Sequence, residues 1–229
     1  MQRYTQASAT PLTAEAIQEH WNDRARAFGN PHPRLRAIAN LVASLPGGPG
    51  TLLDLGCGPA TLGTMLPSGT DYFGVDIVGD VMPVDTSPDH FAVADLNRGE
   101  EPFPGRRFDV VVVSGMFEYI RDPSAFIGLL ARKVRPGGHL ILTYMNRRNY
   151  RELRERMLGR VYSYPDPHLN FIPVMQAVAL LRAHRFVIMR TSMITSDYRL
   201  LPAKPILWHF PLNIVARQFL FVCRLEPGS

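Results

Sequence analysis

Thr51-Leu-Leu-Asp-Leu-Gly-Cys-Gly-Pro-Ala-Thr-Leu62 is the stretch on which the reading of this chain turns. Its first half is an apolar run of strand length that carries an acid, Asp54, at its C-terminal end. Its second half is a glycine-rich turn, and a helix is expected to follow. Gly56 and Gly58 let the backbone approach a ligand where a side chain would collide. A turn built for phosphate presents backbone N–H groups to an anion, and a fixed carboxylate there works against it. A carboxylate suits a ligand with a cationic amino group. A dinucleotide fingerprint would need glycine at Thr61, which is absent.

The flanking order repeats the pattern. Asp71-Tyr-Phe-Gly-Val-Asp76 is a second short strand ending in an acid, suited to ribose hydroxyls. Phe91-Ala-Val-Ala-Asp95 is a third apolar run ending in an acid. Phe108-Asp-Val-Val-Val-Val-Ser114 is nearly continuous in apolar residues, as in a strand covered on both faces. Three acids at three successive strand ends match one nucleoside-like ligand lying along the carboxyl edge of a parallel sheet.

These residues resemble the first motifs of the class I S-adenosylmethionine-dependent methyltransferases. The resemblance continues in Phe117-Glu-Tyr-Ile-Arg-Asp-Pro123, with Tyr119 where histidine is common, and in Val134-Arg-Pro-Gly-Gly-His139, read as a turn that closes a helix and enters the fifth strand. His20-Trp-Asn-Asp-Arg-Ala-Arg26 is similar to an N-terminal segment of small members. The resemblance implies S-adenosylmethionine as cofactor. Its implied pocket comprises Asp54, Gly56, Cys57 and Gly58 at the methionine part, Asp76 and Ile77 at the ribose, Asp95 and Leu96 at the adenine, Ser114 beyond the fourth strand, and Trp21 and Arg24 as a cover. The third glycine usual in the family is Ala60 here.

The implied fold is α/β: a Rossmann-like methyltransferase fold with a seven-stranded, mostly parallel sheet, an antiparallel last strand and helices on both faces. The last strand, Gln218 to Leu225, is expected to enter between the fifth and sixth. A chain of 229 residues with 46% hydrophobic residues suits one such core, so residues 1–229 read as a single domain. Helices are expected over about 12–28 and 32–45, which together make an N-terminal helical cap over 1–45. Cys57 and Cys223 read as reduced, which with the missing secretion pattern points to the cytoplasm. The histidines show no metal-site spacing, so no metal is expected.

Residues 146–170 read as a basic insertion or lid. Asn146 to Arg160 holds six arginines and two glutamates, +4 of the formal +5. A solvated helix, a lid selecting an acidic acceptor and a peripheral membrane contact are all open readings. Nucleic acid is disfavoured, because the charge is local and no Asn/Asp-Pro-Pro-Tyr/Phe tetrad follows the fourth strand. The acceptor is expected to be a small or carrier-linked molecule, methylated at a hydroxyl or carboxylate oxygen. The alternatives are an N- or C-methyltransferase of a natural-product pathway and a non-catalytic, cofactor-holding partner subunit. His168 is the candidate base, with Tyr144 beside it, and Met116, Arg147, Arg151, Tyr162 and Tyr164 are candidate acceptor contacts. Nothing in the sequence specifies an oligomeric state.

Overall fold

The computed structural model describes residues 33–48, 50–79, 88–146, 150–159, 170, 172–194, 200–202, 204 and 212–228. Eight strands form one sheet: β1 (Thr51–Leu55), β2 (Asp71–Asp76), β3 (Phe91–Val93), β4 (Phe108–Val113), β5 (Val134–Met145), β6 (Phe186–Ile194), β7 (Leu200–Pro202) and β8 (Gln218–Leu225). Their spatial order is β3-β2-β1-β4-β5-β8-β6-β7. Strands β1 to β5 pair in parallel. Strand β8 runs antiparallel between β5 and β6, as the sequence predicts.

Alternation along the strands divides the core in two. One face carries Leu53, Leu55, Phe73, Val75, Val111 and Val113. Two helices bury apolar stripes against it: α2 (Pro123–Lys133) with Phe126 and Leu130, and α4 (Val174–Ala183) with Val178 and Leu181. On the opposite face, Leu52, Val110 and Val112 meet Ile38 and Val42 of α1 (Pro33–Ala43), the helix expected over 32–45. Each fully buried Leu, Ile, Val or Phe contributes about 1.5–3 kcal/mol. Helix α2 starts where Asp122 accepts hydrogen bonds from the Ser124 and Ala125 amides, with Pro123 in the first turn. A further helix, α3 (Tyr150–Met157), lies in the basic insertion.

The structure corrects four expectations of local structure. The helix expected after the glycine-rich turn is reduced to turns and one 3-10 turn, Gly63–Met65. Pro59, Gly63, Pro67 and Gly69 crowd this short connection with poor helix formers. Strand β3 ends at Val93, because Asp95 turns to cap the 3-10 turn Leu96–Arg98. The Gly137–Gly138 pair lies inside β5 and closes no helix: the strand begins at Val134, directly after α2, with a bulge against β4. A Cβ at Gly138 would stand 2.8 Å from the Asp109 carbonyl oxygen, which explains the glycine there. Among the described residues the sheet has eight strands and not seven, because Leu200–Pro202 adds β7 to the edge of β6. The helix expected over 12–28 lies outside the described residues.

Candidate cofactor and acceptor site

The glycine-rich turn is fastened to the end of β2 by its own backbone. The Gly56 and Cys57 amides donate to the Val75 carbonyl at 2.8 and 3.0 Å. The Gly58 amide donates to Asp76 Oδ2 at 2.8 Å, and the Val78 amide donates to Oδ1 at 3.0 Å. Asp76 therefore braces the turn, and its carboxylate, which also takes the Ile77 amide, keeps acceptor capacity for a ribose hydroxyl. Gly56 and Gly58 have φ of 75° and 51°, in the left-handed region where a Cβ is strained. A Cβ at Gly58 would meet nothing within 4 Å, so there is open space in front of the turn.

Asp54 lies behind this opening and is 3% exposed. Its Oδ2 accepts a hydrogen bond from the Tyr72 hydroxyl at 2.8 Å. Burial pushes the Asp54 carboxyl up to about 7; the Tyr72 hydrogen bond opposes this, the Asp76 carboxylate adds to it, and the Arg34 guanidinium opposes it. Burial likewise raises Asp76, against the hydrogen bonds it accepts from the backbone. Two carboxylates crowded into one buried corner leave a place where a cation is favourable. Burial, followed by the fields of Asp54 and Asp76, pushes the Cys57 thiol far up, so it stays protonated and is no nucleophile. Both cysteines are buried and free.

Sequence reasoning missed Arg34. It starts α1, and its guanidinium stands 2.6 Å from the position of a Cβ at Gly115, just past β4. Its Nη1 donates to Gln218 Oε1 at 3.4 Å. Nothing in Pro33-Arg-Leu-Arg36 separates Arg34 from Arg36 until the helix is docked against the sheet. Met116 is also drawn in. Its Cβ, Cγ and Sδ lie 3.0 Å from the position of a Cβ at Gly56, so the segment after β4 leans onto the glycine-rich turn. The Ser114 hydroxyl is buried without a hydrogen-bond partner among the described residues, beside the Gly115 amide that donates to Thr143 Oγ1 at 2.8 Å.

This donor set fits an adenosyl amino acid. Asp54 matches an ammonium group, Arg34 a carboxylate, Asp76 a ribose, and the orphan Ser114 hydroxyl a polar partner. Ile77 follows Asp76, and Leu96 packs against the core. Asp95 is partly committed elsewhere: its Oδ1 accepts from the Asn97 amide at 2.9 Å, and its Oδ2 lies 3.5 Å from Arg98 Nε.

Beyond β4 the structure gives one clamp. Asn170 is buried, and its Nδ2 donates to the carbonyls of Phe117 and Ile120 at 2.6 and 2.9 Å. Its amide donates to the Glu118 carbonyl at 3.1 Å. The end of the basic insertion is thereby tied to the 3-10 turn Phe117–Tyr119 beyond β4. Glu118 is buried in that turn. Tyr144 packs its ring edge-on against Phe117 inside the core, with centroids 5.9 Å apart, which gives it a packing role. Trp21, Arg24, Arg147, Tyr162, Tyr164 and His168 lie outside the described residues, as does the side chain of Arg151. Among the described residues, no cluster of His, Cys, Asp or Glu is placed to hold a metal, and no helix is long and apolar enough to cross a membrane.

Residues 23–185 match the methyltransferase domain family. Two curated relatives are named ubiquinone biosynthesis O-methyltransferase. The protein from Alkalilimnicola ehrlichii is 31% identical over 140 residues, 56% of this chain and 54% of its own length. The protein from Pseudomonas paraeruginosa is 31% identical over 143 residues, 58% of this chain and 61% of its own. The chain thus spans little more than half the length of these relatives. Among solved structures, the putative methyltransferase in complex with the Trm112 methyltransferase activator of Haloferax volcanii superposes with a TM-score of 0.66. The identity is 19%, and the match covers 95% of this chain and 99% of that one, a likeness of fold. The chain belongs to the methyltransferase domain family, whose cofactor is S-adenosylmethionine.

Proposed function

We propose that this protein transfers the methyl group of S-adenosylmethionine to an oxygen of a small or carrier-linked acceptor. The observation that carries the reading is Asp54: a buried carboxylate at the tip of β1, crowded by Asp76 and facing a glycine-rich turn with open space before it. The names of the curated relatives support oxygen as the methylated atom.

The cofactor supplies a methyl group on a positively charged sulfur, open to in-line displacement. The residues of the chain do the rest. Asp54 and Arg34 fix the two ends of the amino acid portion, Asp76 holds the ribose and stiffens the turn, and Met116 and Ser114 line the side from which an acceptor approaches. Alignment of this kind contributes up to about 7–11 kcal/mol in well-oriented reactions. A hydroxyl acceptor must also lose a proton, which a carboxylate acceptor need not. His168 is the proposed base. Only Leu169 stands between it and Asn170, so chain connectivity keeps their Cα atoms within about 7 Å. Asn170 is bound to the turn after β4, the side an acceptor must enter. Helix α3, with Tyr150 and Met157 exposed in the arginine-rich insertion, is the proposed acceptor-facing lid.

Calorimetric titration with S-adenosylmethionine tests the pocket, with Asp54→Ala and Asp76→Ala beside the native protein. Binding that both substitutions weaken is expected; native affinity in both variants contradicts the assignment. Transfer of an isotope-labelled methyl group to acceptors in a cell extract, read by mass spectrometry, tests the reaction and shows which atom is modified.

A further inference from the structure

We infer that Tyr72 is a positioning residue for the cofactor, whose hydroxyl holds the Asp54 carboxylate ionised and turned toward the ammonium group. The inference rests on the proposed cofactor site and gives a role to a residue that the sequence reading of that site left without one.

The geometry is specific. Strands β1 and β2 pair so that Leu52 lies opposite Tyr72 and Asp54 opposite Gly74. Tyr72 and Asp54 are thus diagonal neighbours on one sheet face, within reach for a long side chain. The Tyr72 ring is held on two sides. A Cβ at Gly63 would stand 3.2 Å from it, and the Phe91 ring lies tilted with centroids 6.1 Å apart. A ring so confined aims its hydroxyl at one place, and Asp54 Oδ2 is there at 2.8 Å. The hydroxyl stays a donor, because burial and then the Asp54 charge push its ionisation well above the usual phenol range.

Among the described residues, the charged and titratable groups around Asp54 are few. Tyr72 and Asp76 face it from β2, Arg34 from α1, and Cys57 from the turn. Cys57 stays neutral and Asp76 works against a second negative charge, so Tyr72 and Arg34 are the groups that favour the ionised form. A hydrogen bond to a carboxylate is stronger than one between neutral groups, and its loss leaves that oxygen buried and unpaired. Only the ionised Asp54 pairs with an ammonium group. Without the Tyr72 bond Asp54 protonates at a higher pH, so cofactor affinity is lost sooner on acidification.

The test is calorimetric titration of S-adenosylhomocysteine, which keeps the amino acid portion, into native protein, Tyr72→Phe, Asp54→Asn and the double variant. The measurements run from about pH 5.5 to about pH 8.5, spanning the titration of Asp54. Tyr72→Phe keeps the ring and is expected to weaken binding about tenfold at pH 7, to move the acid limb of the affinity profile upward, and to change nothing further in the Asp54→Asn background. Gly63→Ala, which presses a methyl group against the ring, is expected to act in the same direction more weakly, and it serves if Tyr72→Phe does not fold. Native affinity with an unmoved acid limb in Tyr72→Phe overturns the inference, as does an equal loss with and without Asp54. Failure of the native protein to bind at all would instead overturn the cofactor site itself.

Discussion

The two sides of the proposed reaction are built differently. The cofactor side consists of strand tips and one short turn: Asp54, Asp76 and the Gly56–Gly58 backbone, locked together by hydrogen bonds shorter than about 3 Å. The acceptor side consists of chain inserted between β5 and β6 and brought home by a clamp, Asn170. A site at strand ends inherits its geometry from the sheet. A site in an insertion depends on whichever contacts return it to the sheet, and substitutions should separate the two.

Asp54→Asn should have the largest effect. It removes the charge that meets the ammonium group, and cofactor affinity should fall by about a hundredfold or more. The same change should stabilise the cofactor-free protein at pH 8. The folded-state carboxyl sits at about 7 against an ordinary 3.8, so ionising it opposes folding. Its favourable contribution is complete below the ordinary value and is lost as pH rises through about 7. At about 1.4 kcal/mol per tenfold in the proton equilibrium, Asp54→Asn should gain a few kcal/mol at pH 8 and little at pH 4, read by denaturant unfolding at both pH values.

Asn170→Ala should act on the other side. The Phe117 and Ile120 carbonyls lose their donor in a buried place, costing about 1–3 kcal/mol of stability. Acceptor KM should rise by about tenfold while S-adenosylmethionine binding stays within about twofold, if a misplacement of the order of 1 Å reaches only the acceptor. Equal losses for both ligands would erase the division between the sides. Arg147→Ala combined with Arg151→Ala should weaken an acidic acceptor by a few-fold and leave the cofactor untouched, at about 0.2–1 kcal/mol for each ion pair lost. Unchanged acceptor kinetics would make α3 a solvated helix.

Lys133→Met should affect neither ligand. Lys133 is buried at the end of α2, and its Nζ donates to the Phe103 carbonyl at 2.8 Å and meets Glu101 at 2.7 Å. Its loss should lower stability by about 1–3 kcal/mol through the unpaired carbonyl, with both binding isotherms unchanged. An altered cofactor affinity there would show that the braced loop communicates with the turn.

Much of the cofactor side was legible because strand ends announce themselves. An apolar run, an acid and a glycine are local signals, and a parallel sheet then places all such ends on one edge. Arg34 was not legible, since its role depends on how α1 lies across β4. Tyr72 was hidden in a strand, where an aromatic residue looks like core until a carboxylate is found against its hydroxyl. The helix expected after Gly58 failed because the proline and glycine content outweighed the usual order of elements. Gly137 and Gly138 looked like a helix stop, but the close approach of β4 made them part of a strand. On the acceptor side the sequence offered residue types without positions. Asn170 stood two positions after the candidate base His168, yet only the turn beyond β4 made it a clamp.

The amino-acid order alone determined the parallel sheet and the acids Asp54 and Asp76 at the ends of its first two strands, because these are written in short-range apolar periodicity and turn chemistry; the resemblance of its motifs implied the family and the antiparallel last strand. The tertiary structure decided which side chains face one another across elements: Arg34 against the end of β4, Tyr72 under Asp54, Met116 over Gly56, and Asn170 across the turn after β4. Such pairings join residues far apart in the chain, and their distances exist only once the helices and loops have packed against the sheet.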